Sequence, residues 1–109
     1  MRDPETLSEV KKYLDLLSKK APGFSVEVRI PPYGAIQCIE GPVHRRGTPR
    51  AVIEMDAKTF IALVTCEISW EEGVSSGSII ASGERADLTS YLPLPKVDQK
   101  QHLFLISFH

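Results

Sequence analysis

Between Leu17 and Phe24 the apolar residues change their spacing, and this change restricts the fold more than any other feature of the chain. Leu7, Val10, Leu14 and Leu17 recur every three or four residues, with Tyr13 and Leu16 widening the stripe, as one face of a helix requires. From Phe24 onward Phe24, Val26, Val28 and Ile30 alternate with Ser25, Glu27 and Arg29, the two-residue period of a strand with one buried face. The first thirty residues therefore commit the chain to a mixture of helix and strand. At 109 residues it can fold as one domain, burying roughly two-thirds of its unfolded surface.

The helix has signals at both ends. Asp3 is placed to cap it, Pro4 sits where a first turn tolerates proline, and Glu5 suits the positive end. Lys19 and Lys20 suit its C-terminus and "APG" stops it, so the spacing predicts a helix over 4–20. After the turn "PPYG", the segment "AIQCIEG" reads as a second strand with Ile36 and Cys38 on one face. "AVIEMD" reads as a third, with Asp56 at its end able to cap the next helix. That helix carries Phe60, Ile61, Leu63 and Val64 and is expected to reach Ile68. Ser69 with Glu72 forms an S-x-x-E capping box, which predicts a further helix burying Trp70 and Val74 at i, i+4. "SSGS" ends it, "SIIAS" reads as a strand, and "ERADLTSYL" as a last short helix. Pro93 and Pro95 close the expected domain, residues 1–94, and leave a tail over 95–109.

Catalytic and metal-binding patterns are missing. His44, His102 and His109 form no H-x-x-x-H or H-E-x-x-H, and Cys38 and Cys66 have no metal-ligand spacing. No nucleophile elbow, P-loop or dinucleotide fingerprint occurs. A Cys38–His44 couple is conceivable, but a cysteine on the apolar face of a strand is more often a small buried hydrophobe. Glu54 and Asp56 share a strand face, and the simpler account is one exposed residue and one helix cap. Arg45, Arg46 and Arg50 gather in the loop "HRRGTPR", where a solvated loop outweighs an anion or lipid head-group site. A formal charge of -1, and no aromatics among those arginines, give no case for nucleic acid. No apolar run approaches the roughly 20 residues of a membrane span, and "MRDPETLSEVKKYLDLL" lacks the apolar block of a secretory signal. The expectation is a cytoplasmic, non-enzymatic protein without metal or cofactor.

The stretch "RGTPRAVIEMDAKTFIALVTCEISWEEGVSSGSIIASGERADLTSYLPL" resembles the bacterial sterol-carrier-like domain, a short relative of the sterol carrier protein superfamily. The shared pattern is a strand ending in Asp, a helix with F-x-A-L-x-T, "WEE" opening the next helix, and "SG" before a strand ending "ASGERADL" and "YLPL". "VEVRIPPYGAIQCIEG" is similar to the two leading strands, so the likeness covers about residues 24–94. Cys66 departs from it, standing where a small residue such as glycine is expected to close the helix. The resemblance implies an α/β fold of α+β type, with helices packed on one face of a small, largely antiparallel sheet. In larger relatives an apolar tunnel between sheet and helices holds a sterol, fatty acid or acyl group. Transferred here, that implies a ligand contacting Phe60, Leu63, Val64, Trp70, Ile80 and Tyr91. The same residues make an ordinary solid core, which leaves open an accessory or protein-interaction module of the same fold without a usable cavity. Counting hydrophobic residues does not separate the two.

The tail has no counterpart in the resemblance. Leu103, Phe104, Leu105, Ile106 and Phe108 follow one another almost without a break after the polar spacer "KVDQKQ". Such an uncharged, β-prone run is an aggregation hazard when left in water and suits a strand buried on both faces. The expectation is a strand over 103–108 added to a sheet edge of the same chain or of a second copy, which would make a homodimer.

Overall fold

Helix α1 spans Pro4–Lys20 in the computed structural model, which describes residues 3–42 and 50–97. Asp3 caps it as expected: its carboxylate accepts from the Thr6 amide at 2.9 Å and the Thr6 hydroxyl at 2.7 Å. Val10, Tyr13, Leu14 and Leu17 are its buried face. Strand β1, Val26–Ile30, pairs antiparallel with β2, Gly34–Cys38, across the tight turn at residues 31–33. Strand β3, Ala51–Glu54, runs parallel to β1, and β4, Ile80–Ser82, runs antiparallel to β3. The sheet order is β2-β1-β3-β4, mostly antiparallel, so β2 and β4 are the edges. Between β3 and β4 lie α2, Ala57–Val64, and α3, Trp70–Ser75. The strand–helix–helix–strand order expected over 51–82 is therefore present.

The register decides which face is dry. Val26, Val28 and Ile30 of β1 align with Ala51 and Ile53 of β3 and with Cys38 of β2, and all are buried. On the opposite face Glu27, Arg29, Glu54 and Ile80 stand side by side, half-buried or exposed. Arg29 reaches Glu27 at 2.9 Å and Glu54 at 4.0 Å there. Surface pairs of this kind are worth little in stability, but they fit a solvated face. The helices cover the other one.

Several boundaries differ from the sequence expectation. The first strand starts at Val26, two residues late, and Phe24 is 66 % exposed. Its approach is bent because Gly23 lies so close to Ile39 that a Cβ would overlap the Ile39 carbonyl. The Ser25 amide also donates to that carbonyl at 3.1 Å. Helix α2 ends at Val64, so Ile68 packs half-buried from a bend instead of from a helix. The strand expected over "SIIAS" shrinks to Ile80–Ser82, and the last helix to a single 3-10 turn at Thr89–Tyr91. Val74 is 41 % exposed, and α3 buries only Gly73. The Ile79 side chain lies against Gly73 where a Cβ would stand, so α3 packs through its backbone. The strand expected over 103–108, like the loop residues His44, Arg45 and Arg46, lies outside the described residues.

Candidate functional site: the layer between sheet and helices

Three of the six expected ligand contacts come from α2, positioned by its cap. The Asp56 carboxylate accepts from the Thr59 amide at 2.8 Å, which fixes the first turn and turns Phe60, Leu63 and Val64 onto the sheet. All three are fully buried. The Phe60 ring meets Tyr13 of α1 edge-on, centroids 6.4 Å apart and planes at 89°, the favourable arrangement for two aromatic quadrupoles. Around them lie Val28, Ile53, Ile79 and Leu88, also buried. Every buried side chain among the described residues is aliphatic, aromatic, a thiol or, at Met55, a thioether. Apart from the Tyr13 hydroxyl, which the Val97 amide already engages, the buried side chains of the described residues offer no oxygen or nitrogen to orient a ligand head.

The other three expected contacts sit further out. Trp70 opens α3 and packs half-buried against the core, as does Tyr91 in the 3-10 turn. Ile80 is 64 % exposed on the outer face of the sheet, away from Phe60 and Leu63, because its partner Glu54 faces outward. The strand's inward residue is Ala81, with buried Ile79 just before the strand. The sequence "SIIAS" offers two adjacent isoleucines and no means of telling which faces in.

Sequence reasoning missed the segment after Leu92. The Leu94 amide donates to the Val64 carbonyl at 3.0 Å, and the Lys20 ammonium to the Pro93 carbonyl at 3.0 Å. The Val97 amide donates to the Tyr13 hydroxyl, also at 3.0 Å. The chain thus crosses the seam of α1 and α2 and satisfies the polar end of a buried tyrosine. Val97 packs against the core, three residues beyond the expected domain limit at 94. A cleft of about 280 Å³ opens there, floored by Tyr13, Ile61 and Leu94 and rimmed by Glu9, Glu67 and Lys96. A second cleft, about 320 Å³, lies between α1 and the free edge of β2, with Leu14, Tyr33, Gly34 and Ile36 among its walls. None of the six expected contacts lines either cleft. Both volumes fall near the lower end of the range for small-molecule pockets.

The cysteines stand apart in environment. Cys38 is fully buried, and burial pushes its thiol up to about 11, which favours the protonated form at neutral pH. Cys66 is exposed and free. Among the described residues no group of three or more His, Cys, Asp or Glu is placed to hold a metal ion. No described helix is long and apolar enough to cross a membrane.

The pattern of the protein family described as "Bacterial SCP ortholog" matches residues 3–94, which include α1, all four strands and the segment up to Leu94. No curated protein matches the chain. The match thus spans the helix, the mixed sheet and the apolar layer between them, and the chain belongs to the bacterial SCP ortholog family.

Proposed function

We propose that this chain is a non-enzymatic, cytoplasmic binding domain that takes a lipid or other apolar small molecule between its sheet and its helices. The observation that carries this reading is the layer under α2, which is apolar apart from the Tyr13 hydroxyl and is bounded by a family fold of sterol-carrier type. A hydrocarbon chain entering it gains about 0.8 kcal/mol per buried methylene. With the Tyr13 hydroxyl already engaged by the Val97 amide and no other polar side-chain atom buried among the described residues, a carboxylate or hydroxyl head stays at the surface. A long chain entering by the α1–α2 cleft would displace side chains of α2 or of the 92–97 segment, since Ile61, Leu94 and Lys96 line it.

A second reading is favoured by one specific contact. Phe60 and Tyr13 already meet edge-on, both buried, between α1 and α2. Kept that way, the fold is an accessory module that contacts a partner protein from its surface. Native mass spectrometry of protein purified from cells, before and after delipidation, distinguishes the two. A removable adduct, with Trp70 fluorescence changing more as added fatty acids lengthen, supports the binding domain. Protein free of adduct, with a flat titration at every chain length, supports the accessory module.

A further inference from the structure

The cleft beside β2 has a property that the α1–α2 cleft lacks: one of its walls is a strand whose outer edge is unpaired among the described residues. In the order β2-β1-β3-β4, Gly34–Cys38 pairs with β1 alone among the described strands, so its remaining amides and carbonyls point away from the sheet. Along that open edge, Leu14 of α1 and Tyr33 and Ile36 of the hairpin build an apolar floor in a space of about 320 Å³. A groove between a helix and a free strand edge is the geometry in which extended segments add to a sheet. Backbone bonds then hold the added strand while alternate side chains fill the floor.

We infer that this groove is the docking site of the chain's own C-terminal segment, Leu103–Phe108, which adds to the sheet as a fifth strand beside β2. Position comes first. Val97, the last described residue, is bonded to Tyr13 on α1, and Leu14, the next residue on that helix, lines the groove. Six residue steps separate Val97 from Leu103, a reach of about 20 Å when extended. That exceeds the roughly 10–12 Å width of the helix to be crossed. Composition comes second. Phe104, Ile106 and Phe108 fall on one side of an extended strand and match the apolar floor, while the spacer 98–102 is polar. The six residues also match the five of β2, whereas the opposite edge, β4, offers only three.

Amide hydrogen exchange on the full-length chain tests this, comparing the wild type with the double variant Phe104→Asp, Ile106→Asp. The expected result is slow exchange at the outward amides of Gly34–Cys38 in the wild type, faster by about tenfold or more in the variant. The amides of β1 should keep their protection, because the substitutions leave the core untouched. Equal exchange in the two proteins along β2 overturns the proposal. So does protection of β2 that disappears on dilution as a dimer dissociates in sizing, because the segment then sits on a second copy.

Discussion

Helices α1 and α3 both start at a side-chain cap, Asp3 accepting from Thr6 and Ser69 accepting from Glu72, but they bury very different surfaces. In α1 four large side chains lie against the sheet and α2. In α3 the buried residue is Gly73, and its neighbours Trp70 and Val74 remain partly in water. The difference is one of length. Seventeen residues give nearly five turns, over which an apolar stripe has only one way to face the core. Six residues give fewer than two turns, and the face is then set by whatever approaches from outside, here Ile79. A cap fixes where a helix starts. It does not fix which side is buried.

The largest effect should come from the long-helix half. Phe60→Ala removes a fully buried ring held against Tyr13 and should cost about 3–5 kcal/mol in a urea unfolding measurement. A cost below about 1 kcal/mol would mean that the layer beneath α2 is loosely packed, and would strengthen the case for a ligand cavity there. The matching change in the short helix is Trp70→Ala. If Trp70 were core it would cost as much, but its indole is only half-buried. The expected loss is about 1.5–2.5 kcal/mol. Losses of equal size at the two positions would break the contrast between the helices.

The caps allow a smaller test. Asp56→Ala should cost about 1 kcal/mol near neutral pH, since the Thr59 amide loses its acceptor. In the wild type that amide bond, and then the Thr59 side chain, hold the Asp56 carboxyl below its ordinary value of 3.8, with Lys58 adding a smaller effect. A lowered folded-state pKa means that the stabilisation is fully present above 3.8 and fades as pH falls through the lower value. Thermal melts of wild type and variant should therefore differ at pH 7 and converge in acid. A gap that persists in strong acid would assign the cap's contribution to something other than the ionised carboxylate.

These contrasts explain what the sequence could reveal. The four strands, α1 and the two caps at Asp56 and Ser69 were legible because local chemistry sets them: alternation, periodicity, and a side chain three residues before an amide. The match to the family over 3–94 agrees with that reading. Exposure at Phe24, Val74 and Ile80 was not legible, because each depends on a non-local contact: Gly23 on Ile39, Gly73 on Ile79, and Ile80 on the outward register of Glu54. The role of residues 94–97 was hidden for the same reason. Nothing in "LPLPKV" announces that one backbone amide will meet Val64 and another Tyr13. Of the expected ligand contacts, the three on α2 share one buried layer, and Ile80 is separated from them by the thickness of the sheet.

The smallest expected effect has the opposite sign, and it compares the ends of α2 and α3. After its last turn α3 turns left-handed at Gly77, φ +82°, where no side chain stands in the way. Helix α2 makes the same turn at Cys66, φ +62°. The Cys66 amide donates to the Leu63 carbonyl at 3.0 Å and the Glu67 amide to the Ala62 carbonyl at 2.8 Å, the paired bonds of a Schellman cap. That cap favours glycine at its left-handed position, because a Cβ there crowds the following carbonyl. Cys66 carries the Cβ without burying its thiol, since the residue is exposed. Cys66→Gly should therefore stabilise the protein by about 0.5–1 kcal/mol, even after the greater freedom of glycine in the unfolded chain is counted. Cys66→Ala keeps the Cβ and should change stability by less than about 0.5 kcal/mol. Melting the three proteins side by side separates backbone strain from thiol chemistry. A glycine variant no more stable than the alanine variant would show that the turn imposes no cost on Cys66, and that the two helices end on equal terms.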